Sequence, residues 1–153
     1  MSYPSPSSAK PTAAFVGASW AALLLGVVSF GVGLWNATMI ASEKGFYAVV
    51  LVLGLFAAVS LQKSVRDRTE GLPVSALYMG LSWAAVGIAV VMLVVGLVNS
   101  GMMLSEKGFY GLAFAMSLFA AVAVQKNVRD TLQFRASSPD GLRSEAYGAD
   151  DRG

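Results

Sequence analysis

The sequence predicts an all-α membrane protein with four transmembrane helices, arranged as two tandem helical hairpins of parallel topology. Three observations lead to this fold class. Four long apolar runs contain no charged residue, the second half of the chain repeats the first without a gap, and most basic residues fall on one side of the runs. Charged residues make up 13% of the chain and apolar residues 56%, whereas about a quarter of a soluble domain is charged.

The first apolar run predicts a transmembrane helix at about residues 13–40, and the second predicts one at about 45–62. The second run has about 18 residues, just enough to cross a hydrocarbon core of about 30 Å. Beyond it, Lys63 with Asp67 and Arg66 with Glu70 are spaced four positions apart, so the helix is expected to continue past the membrane. Residues 1–12, rich in serine and proline, are predicted to be a disordered tail.

A charged segment, S-E-K-G-F-Y at residues 42–47, separates these two runs. Ser42 is predicted to cap the second helix, and Glu43 to lie in its first turn, where the helix dipole favours an anion. Phe46 and Tyr47 are predicted to lie at the membrane interface, where aromatic side chains are enriched.

The chain contains an internal duplication. Residues 17–67 and 80–130 are identical at 28 of 51 positions without a gap. The matches include S-W-A-A, S-E-K-G-F-Y and Q-K-x-V-R-D, which a shared apolar composition does not explain. The first repeat is therefore assigned to residues 13–71 and the second to residues 72–134.

The second repeat contributes predicted spans at about 74–103 and 108–125, and a polar, disordered tail is predicted at 135–153. Because each repeat crosses the membrane twice, both repeats enter it in the same direction. The repeats are then related by an approximate two-fold axis along the membrane normal.

The basic residues predict the orientation. Nine of the eleven lie on one side of the membrane if all four runs cross it, whereas Lys44 and Lys107 lie on the other side. By the positive-inside rule, both termini are cytoplasmic and both S-E-K-G-F-Y segments face outward.

The residues that usually carry enzyme chemistry are scarce. The sequence has no cysteine and no histidine, and the four runs contain no charged side chain of the kind that pumps and ion transporters keep inside the membrane. We therefore predict that the protein is not an enzyme and has no catalytic, cofactor-binding or metal-binding residue. The net charge of only +2 does not indicate nucleic acid binding.

Asn36 and Asn99 are the most polar side chains inside the runs, at matching positions of spans one and three. An amide at this depth needs a hydrogen-bond partner. One interpretation is that the two amides face each other across the two-fold axis and line a small polar site. The favoured one is helix packing through hydrogen bonds worth about 0.6–2 kcal/mol each.

The charged pairs of the two S-E-K-G-F-Y segments also have two interpretations. Two-fold symmetry would let Glu43 approach Lys107 and Glu106 approach Lys44, forming an outward-facing site for a polar ligand or partner. The simpler interpretation is turn closure with solvated ion pairs worth about 1 kcal/mol or less.

A basic rim follows the second and fourth spans and consists of Lys63, Arg66, Lys126 and Arg129. It would attract anionic lipid headgroups at about 1 kcal/mol per basic residue. The more economical interpretation is that these residues only determine topology.

Small residues recur at helical spacing along the first span: Ala18, Ala22, Gly26, Ser29, Gly33 and Ala37. Such a stripe lets two helix backbones approach closely. Packing within the chain is the favoured use, and homodimerisation is the alternative.

The segment G-L-W-N-A at residues 33–37, the paired E-K-G-F-Y and the run L-F-A-A-V-A-V-Q-K-N-V-R-D at residues 118–130 resemble the YiaA/YiaB two-helix domain family. The resemblance covers about residues 15–130. It implies a multi-pass protein of the bacterial inner membrane with two copies of the domain, and it assigns no catalytic or ligand residues.

Two functional hypotheses follow. The first is a non-enzymatic membrane protein that acts through helix packing with itself, with lipids of the bilayer or with another membrane protein. The second is a small channel or transporter for a neutral solute, with a site between the two repeats, since duplicated halves are common in transporters.

Overall fold

The computed structural model of this chain describes residues 11–136. The tails predicted at residues 1–12 and 135–153 lie outside the described residues, except for residues 11–12 and for residues 135–136, which belong to the last helix. The described part contains four α-helices, which are α1 Ala13–Asn36, α2 Ala41–Thr69, α3 Ala76–Asn99 and α4 Leu104–Ala136. Each of the four is long and apolar enough to cross a membrane, so the predicted four-span, all-helical fold is confirmed.

The helix ends differ from the predicted span limits in a regular way. Helices α1 and α3 stop four residues before the predicted ends of their spans, and α2 and α4 begin four residues before theirs. The difference arises because an uncharged run ends at the first charge, whereas a helix ends where its backbone groups are capped. As predicted, α2 continues through the charged segment, as far as Thr69, and Gly71 follows with a φ of 75°.

Each helix packs mainly against a helix of the other repeat. Helix α1 packs mainly against α4, and α3 packs mainly against α2, while α2 and α4 contact each other between them. Contacts within a hairpin, between α1 and α2 or between α3 and α4, are sparse. Neither repeat is therefore a packing unit by itself, and the two repeats depend on each other.

The core lies where α2 and α4 meet. Its most deeply buried large side chains are Phe30, Val50 and Phe114, with exposed fractions of 1%, 0% and 3%. The outward faces of the helices are apolar as well, since Leu25 on α1 and Phe119 on α4 are 61% and 77% exposed. Apolar side chains on both faces of a helix are typical of a transmembrane bundle surrounded by lipid.

Two glycines of the small-residue stripe of α1, Gly26 and Gly33, lie against α4. A Cβ added to Gly26 would lie 3.0 Å from the backbone nitrogen of Ser117 and 3.2 Å from the carbonyl oxygen of Ala113. A Cβ on Gly33 would lie 2.7 Å from the ring of Phe109. These two glycines are thus used for packing within the chain, which is the use that the sequence favoured.

Candidate functional site

A cavity of about 950 Å³ opens at the end of the bundle where the two S-E-K-G-F-Y segments lie, which we call the motif end. In the first repeat it is lined by Gly33, residues 36–39, Ser42, Glu43, Phe46 and Tyr47. The residue 63 positions later also lines the cavity in every case. The cavity therefore lies on the approximate two-fold axis and is formed by both repeats together.

Asn36 and Asn99 both line this cavity, but they do not bind each other. Each Nδ2 donates to a carbonyl oxygen of its own helix, that of Val32 or Val95, at 2.8 Å. Within residues 11–134, no group donates to either amide oxygen. The structure thus brings both residues to one site, where their hydrogen bonds lie within helices and not between them.

The glutamates of the motif cap the N-termini of α2 and α4. Glu43 accepts a hydrogen bond from the backbone N–H of Ile40 at 3.1 Å, and Glu106 accepts one from Met103 at 2.7 Å. The N-cap of α2 is Ile40, so the prediction that Ser42 is the cap was wrong. Glu43 takes over the capping role from the first turn, because a carboxylate at the third helical position reaches back to the N-cap N–H.

The lysines of the motif cap the C-termini of α1 and α3. Lys44 donates to the carbonyl oxygen of Trp35 at 2.9 Å, and Lys107 donates to that of Val98 at 3.3 Å. A cation at this position satisfies a terminal carbonyl and offsets the negative end of the helix dipole. Among the described residues neither lysine pairs with a glutamate of the other repeat, and neither lines the cavity.

The inner end of the cavity is closed by two tyrosines. The rings of Tyr47 and Tyr110 are stacked with centroids 6.1 Å apart, and both side chains are 4% exposed. Phe30 contacts the Tyr110 ring edge to face at 5.2 Å, and Val50 is fully buried one turn further along α2. Tyr47 therefore packs in the core and does not face the lipid, whereas its depth at the membrane interface stays a prediction.

The two tyrosine hydroxyls have different surroundings. Ser100 lies near the Tyr47 hydroxyl, although its own hydroxyl donates to the carbonyl oxygen of Leu97 at 2.7 Å. The residue that corresponds to Ser100 in the first repeat is Ala37, which has no hydroxyl. Within the described residues, the Tyr110 hydroxyl has no hydrogen-bond partner. The cavity is therefore symmetric in position, but a serine hydroxyl lies near Tyr47 and none occupies the corresponding position near Tyr110.

The duplicated segments also determine the family. A family model described as yiaA/B two helix domain matches residues 15–67 and again residues 78–130, together more than half of the chain. The chain belongs to the YiaA/YiaB two-helix domain family. The resemblance carried by the repeated motifs is thereby confirmed.

Two relatives of the YiaA/YiaB family support a membrane location. "Inner membrane protein YiaA" of Escherichia coli (strain K12) is 56% identical over 117 residues, which are 76% of this chain and 81% of the relative. "Uncharacterized membrane protein YubF" of Bacillus subtilis (strain 168) is 37% identical over 62 residues, which are 40% of this chain and 71% of the relative. No solved structure matches this chain significantly. The chain is a multi-pass inner-membrane protein, and neither relative's name specifies an activity.

At the opposite end, which we call the tail end, ion pairs join the two YiaA/YiaB domains. Glu70 accepts a hydrogen bond from Arg129 at 2.7 Å and lies 3.7 Å from Arg66. Asp67 pairs with Arg66 at 2.6 Å and not with Lys63, the partner predicted for it. The hydrogen bond to Glu70 raises the pKa of the Arg129 guanidinium, which stays charged at any physiological pH.

These ion pairs engage two of the four residues of the predicted basic rim. Arg66 and Arg129 are engaged by carboxylates, whereas Lys63 and Lys126 are exposed. Among the four residues proposed to contact lipid headgroups, the two lysines are therefore the ones whose charge is accessible.

Sequence reasoning missed the polar contacts inside the bundle. Asn127, only 2% exposed, donates to the hydroxyl of Ser19 at 3.0 Å and so joins α4 to α1. The positions that correspond to Asn127 and Ser19 in the other repeat are Ser64 and Ser82. Their hydroxyl oxygens lie 3.5 Å apart and join α2 to α3. The signal was present in Q-K-S-V-R-D and Q-K-N-V-R-D, where a polar residue recurs at one position.

Proposed function

We propose that this protein acts without catalysis, by binding a small polar molecule or the polar end of a lipid in the cavity at the motif end. The observation that carries the proposal is the cavity itself, which has a volume of about 950 Å³ and is lined by nine pairs of symmetry-related residues. That volume is within the range of about 300–1,000 Å³ typical of ligand pockets. A site on the axis also gives both repeats a common role.

The packing of two glycines of the small-residue stripe supports binding in the cavity over helix association as the mode of action. Gly26 and Gly33 are covered by α4 and so do not face a second copy or another membrane protein. The absence of histidine and cysteine from the sequence supports a function without catalysis. The glutamates that line the cavity are engaged as helix caps, which accounts for one oxygen of each.

Native mass spectrometry of protein released from its own membranes tests this proposal. The wild type is expected to carry a bound small molecule or lipid, and Ala37→Trp is expected to lose it because the indole fills the cavity. Ala21→Trp is the matched control, since Ala21 lies on the exposed face of α1 and its replacement should leave the bound molecule in place. A wild type without a bound molecule, or retention of that molecule by Ala37→Trp, would contradict the proposal.

Transport of a neutral solute is the second candidate function. It is favoured by one observation, that Asn36 and Asn99 line a cavity on the two-fold axis. The stacked rings of Tyr47 and Tyr110 close the inner end of that cavity, which favours binding over passage. Solute flux in liposomes that disappears in the Asn36→Leu, Asn99→Leu double variant would establish transport instead.

The proposed orientation places the cavity on the outer face, with both termini cytoplasmic. The chain has no cysteine, so single cysteines report position without background. In intact spheroplasts, Thr38→Cys is expected to react with a membrane-impermeant maleimide, and Leu72→Cys to react only after the membrane is opened. Labelling of Leu72→Cys alone in intact spheroplasts would reverse the orientation.

A further inference from the structure

The charged side chains that line the cavity at the motif end have one sign. Among the described residues, Glu43 and Glu106 are the only charged ones in the lining. Their neighbours Lys44 and Lys107 turn away and donate to the carbonyl oxygens of α1 and α3. Each glutamate uses Oε2 to accept a backbone N–H, and no described residue donates to Oε1. Two carboxylate oxygens thus remain available to a ligand.

The other polar groups of the lining also favour a ligand that donates hydrogen bonds. The amide oxygens of Asn36 and Asn99 have no protein donor among residues 11–134, because each amide is held through Nδ2. The Tyr110 hydroxyl is in a side chain that is 96% buried, and it lies 3.2 Å from the position of a Cβ added to Gly33, another lining residue. Because this hydroxyl has no partner among the described residues, it can accept a hydrogen bond from a ligand in the cavity.

Aromatic rings complete the lining. Phe46 and Phe109 are symmetry-related and each contacts the neighbouring tyrosine edge to face, at 5.3 and 5.5 Å. Carboxylates together with aromatic rings are the groups that hold organic ammonium ions, through charge and cation–π attraction. From these groups together we infer that the cavity selects an organic ammonium group, carried by a free amine or by a lipid headgroup. This inference rests on the proposed binding function.

Three linear probes of equal length test the charge selectivity. They are 1,4-diaminobutane, the neutral butane-1,4-diol and the anionic succinate, titrated calorimetrically into delipidated wild-type protein in detergent. The diamine is expected to bind, and the diol and the dianion are expected to bind at least about tenfold more weakly, because two carboxylates face the cavity. Equal or tighter binding of the diol or succinate overturns the inference but leaves the proposed binding function in place.

A carboxylate variant connects the selectivity to its residues. The Glu43→Gln, Glu106→Gln double variant removes both charges, yet glutamine at the third helical position still accepts the N-cap N–H, so the turns should fold. It is expected to bind the diamine about tenfold more weakly than wild type. The matched control is Glu70→Gln at the tail end, where the diamine affinity should not change. Wild-type affinity in the double variant overturns the inference.

The tyrosine pair gives a test that uses the asymmetry of the cavity. Tyr110→Phe removes the hydroxyl that has no partner among the described residues, and Tyr47→Phe removes the one that lies near Ser100. If the ligand satisfies Tyr110, the first variant lowers the diamine affinity and the second lowers it less. The reverse order, in variants with equal helix content, contradicts this part of the inference.

The source of the ammonium group is distinguished in lipid nanodiscs. Both kinds of disc contain the same fraction of phosphatidylglycerol, and the rest is either phosphatidylethanolamine or a neutral galactolipid without an amine. With a lipid source, diamine binding is expected to be weaker in the phosphatidylethanolamine discs, because the headgroup amine competes. With a free amine as the ligand, the two affinities should agree. Absence of diamine binding in detergent and in both discs overturns the inference, and the proposed function fails with it only if native mass spectrometry also shows no bound molecule.

Discussion

Replacing Gly26 with alanine is expected to destabilise the bundle by about 1–3 kcal/mol. The new methyl group would contact the Ser117 hydroxyl and lie 3.0 Å from that residue's backbone nitrogen. It would also lie 3.2 Å from the carbonyl oxygen of Ala113. Backbone atoms of α4 cannot rotate away as a side chain does, so the two helices must separate. Close packing drives association in a membrane, and even a small separation therefore costs stability.

The matched control for Gly26→Ala is Gly31→Ala in the same helix. A Cβ on Gly31 meets no atom within 4 Å, so only the higher helix propensity of alanine acts there, and stability should stay the same or rise slightly. Both variants can be compared by titrating sodium dodecyl sulfate into mixed micelles and following helix content by circular dichroism. Equal effects at the two positions would show that α1 does not pack on α4 through Gly26.

The sequence was sufficient to predict the number of helices and the duplication. Uncharged runs of membrane-spanning length determine the first, and the 63-residue offset determines the second. Which helices become neighbours was not predictable in the same way. Helices α1 and α3 are apolar on all sides, so no polar face indicates the side that turns inward. The four-residue links suggest that α1 lies along α2, whereas it packs on α4.

The candidate site was predicted in part. Asn36, Asn99, Glu43 and Glu106 were singled out from their matching positions, and all four line one cavity. The role of Lys44 was not predictable because its acceptor is the backbone carbonyl of Trp35, and backbone positions leave no trace in side-chain patterns. Two-fold symmetry suggested ion pairs between a glutamate of one repeat and a lysine of the other. The short links between helices instead let these side chains cap the helix ends within their own hairpin.

Tyr47 shows what a local rule leaves out, namely which side of the helix is buried. An aromatic residue near the end of an apolar run is typical of the membrane interface. A longer pattern pointed inward, since Tyr47, Val50, Gly54 and Ala57 recur at the spacing of one helix face, and all four are buried. The face that contacts α4 is thus marked by a periodicity that mixes large and small residues.

The contact between Gly54 and Phe114 should show a strong coupling between α2 and α4. A Cβ on Gly54 would lie 2.6 Å from Cζ of the Phe114 ring, which is 3% exposed. Phe114→Ala is expected to cost on the order of 3 kcal/mol, at the lower end for buried phenylalanine, because the unfolded side chain contacts detergent and not water. Gly54→Ala alone is expected to cost about 1–3 kcal/mol.

The double variant Gly54→Ala, Phe114→Ala should lose less stability than the two single losses added together, by about 1 kcal/mol or more. With the ring removed, the new methyl group meets space and fills part of the void. The matched control pairs Gly54→Ala with Phe119→Ala, since Phe119 is in the same helix but is 77% exposed, and these two effects should add. Both cycles use the same detergent titration. Strict additivity in the Phe114 cycle would mean that α2 and α4 do not meet at this contact. A different pair of helices would then have to lie at the centre of the bundle, on the two-fold axis.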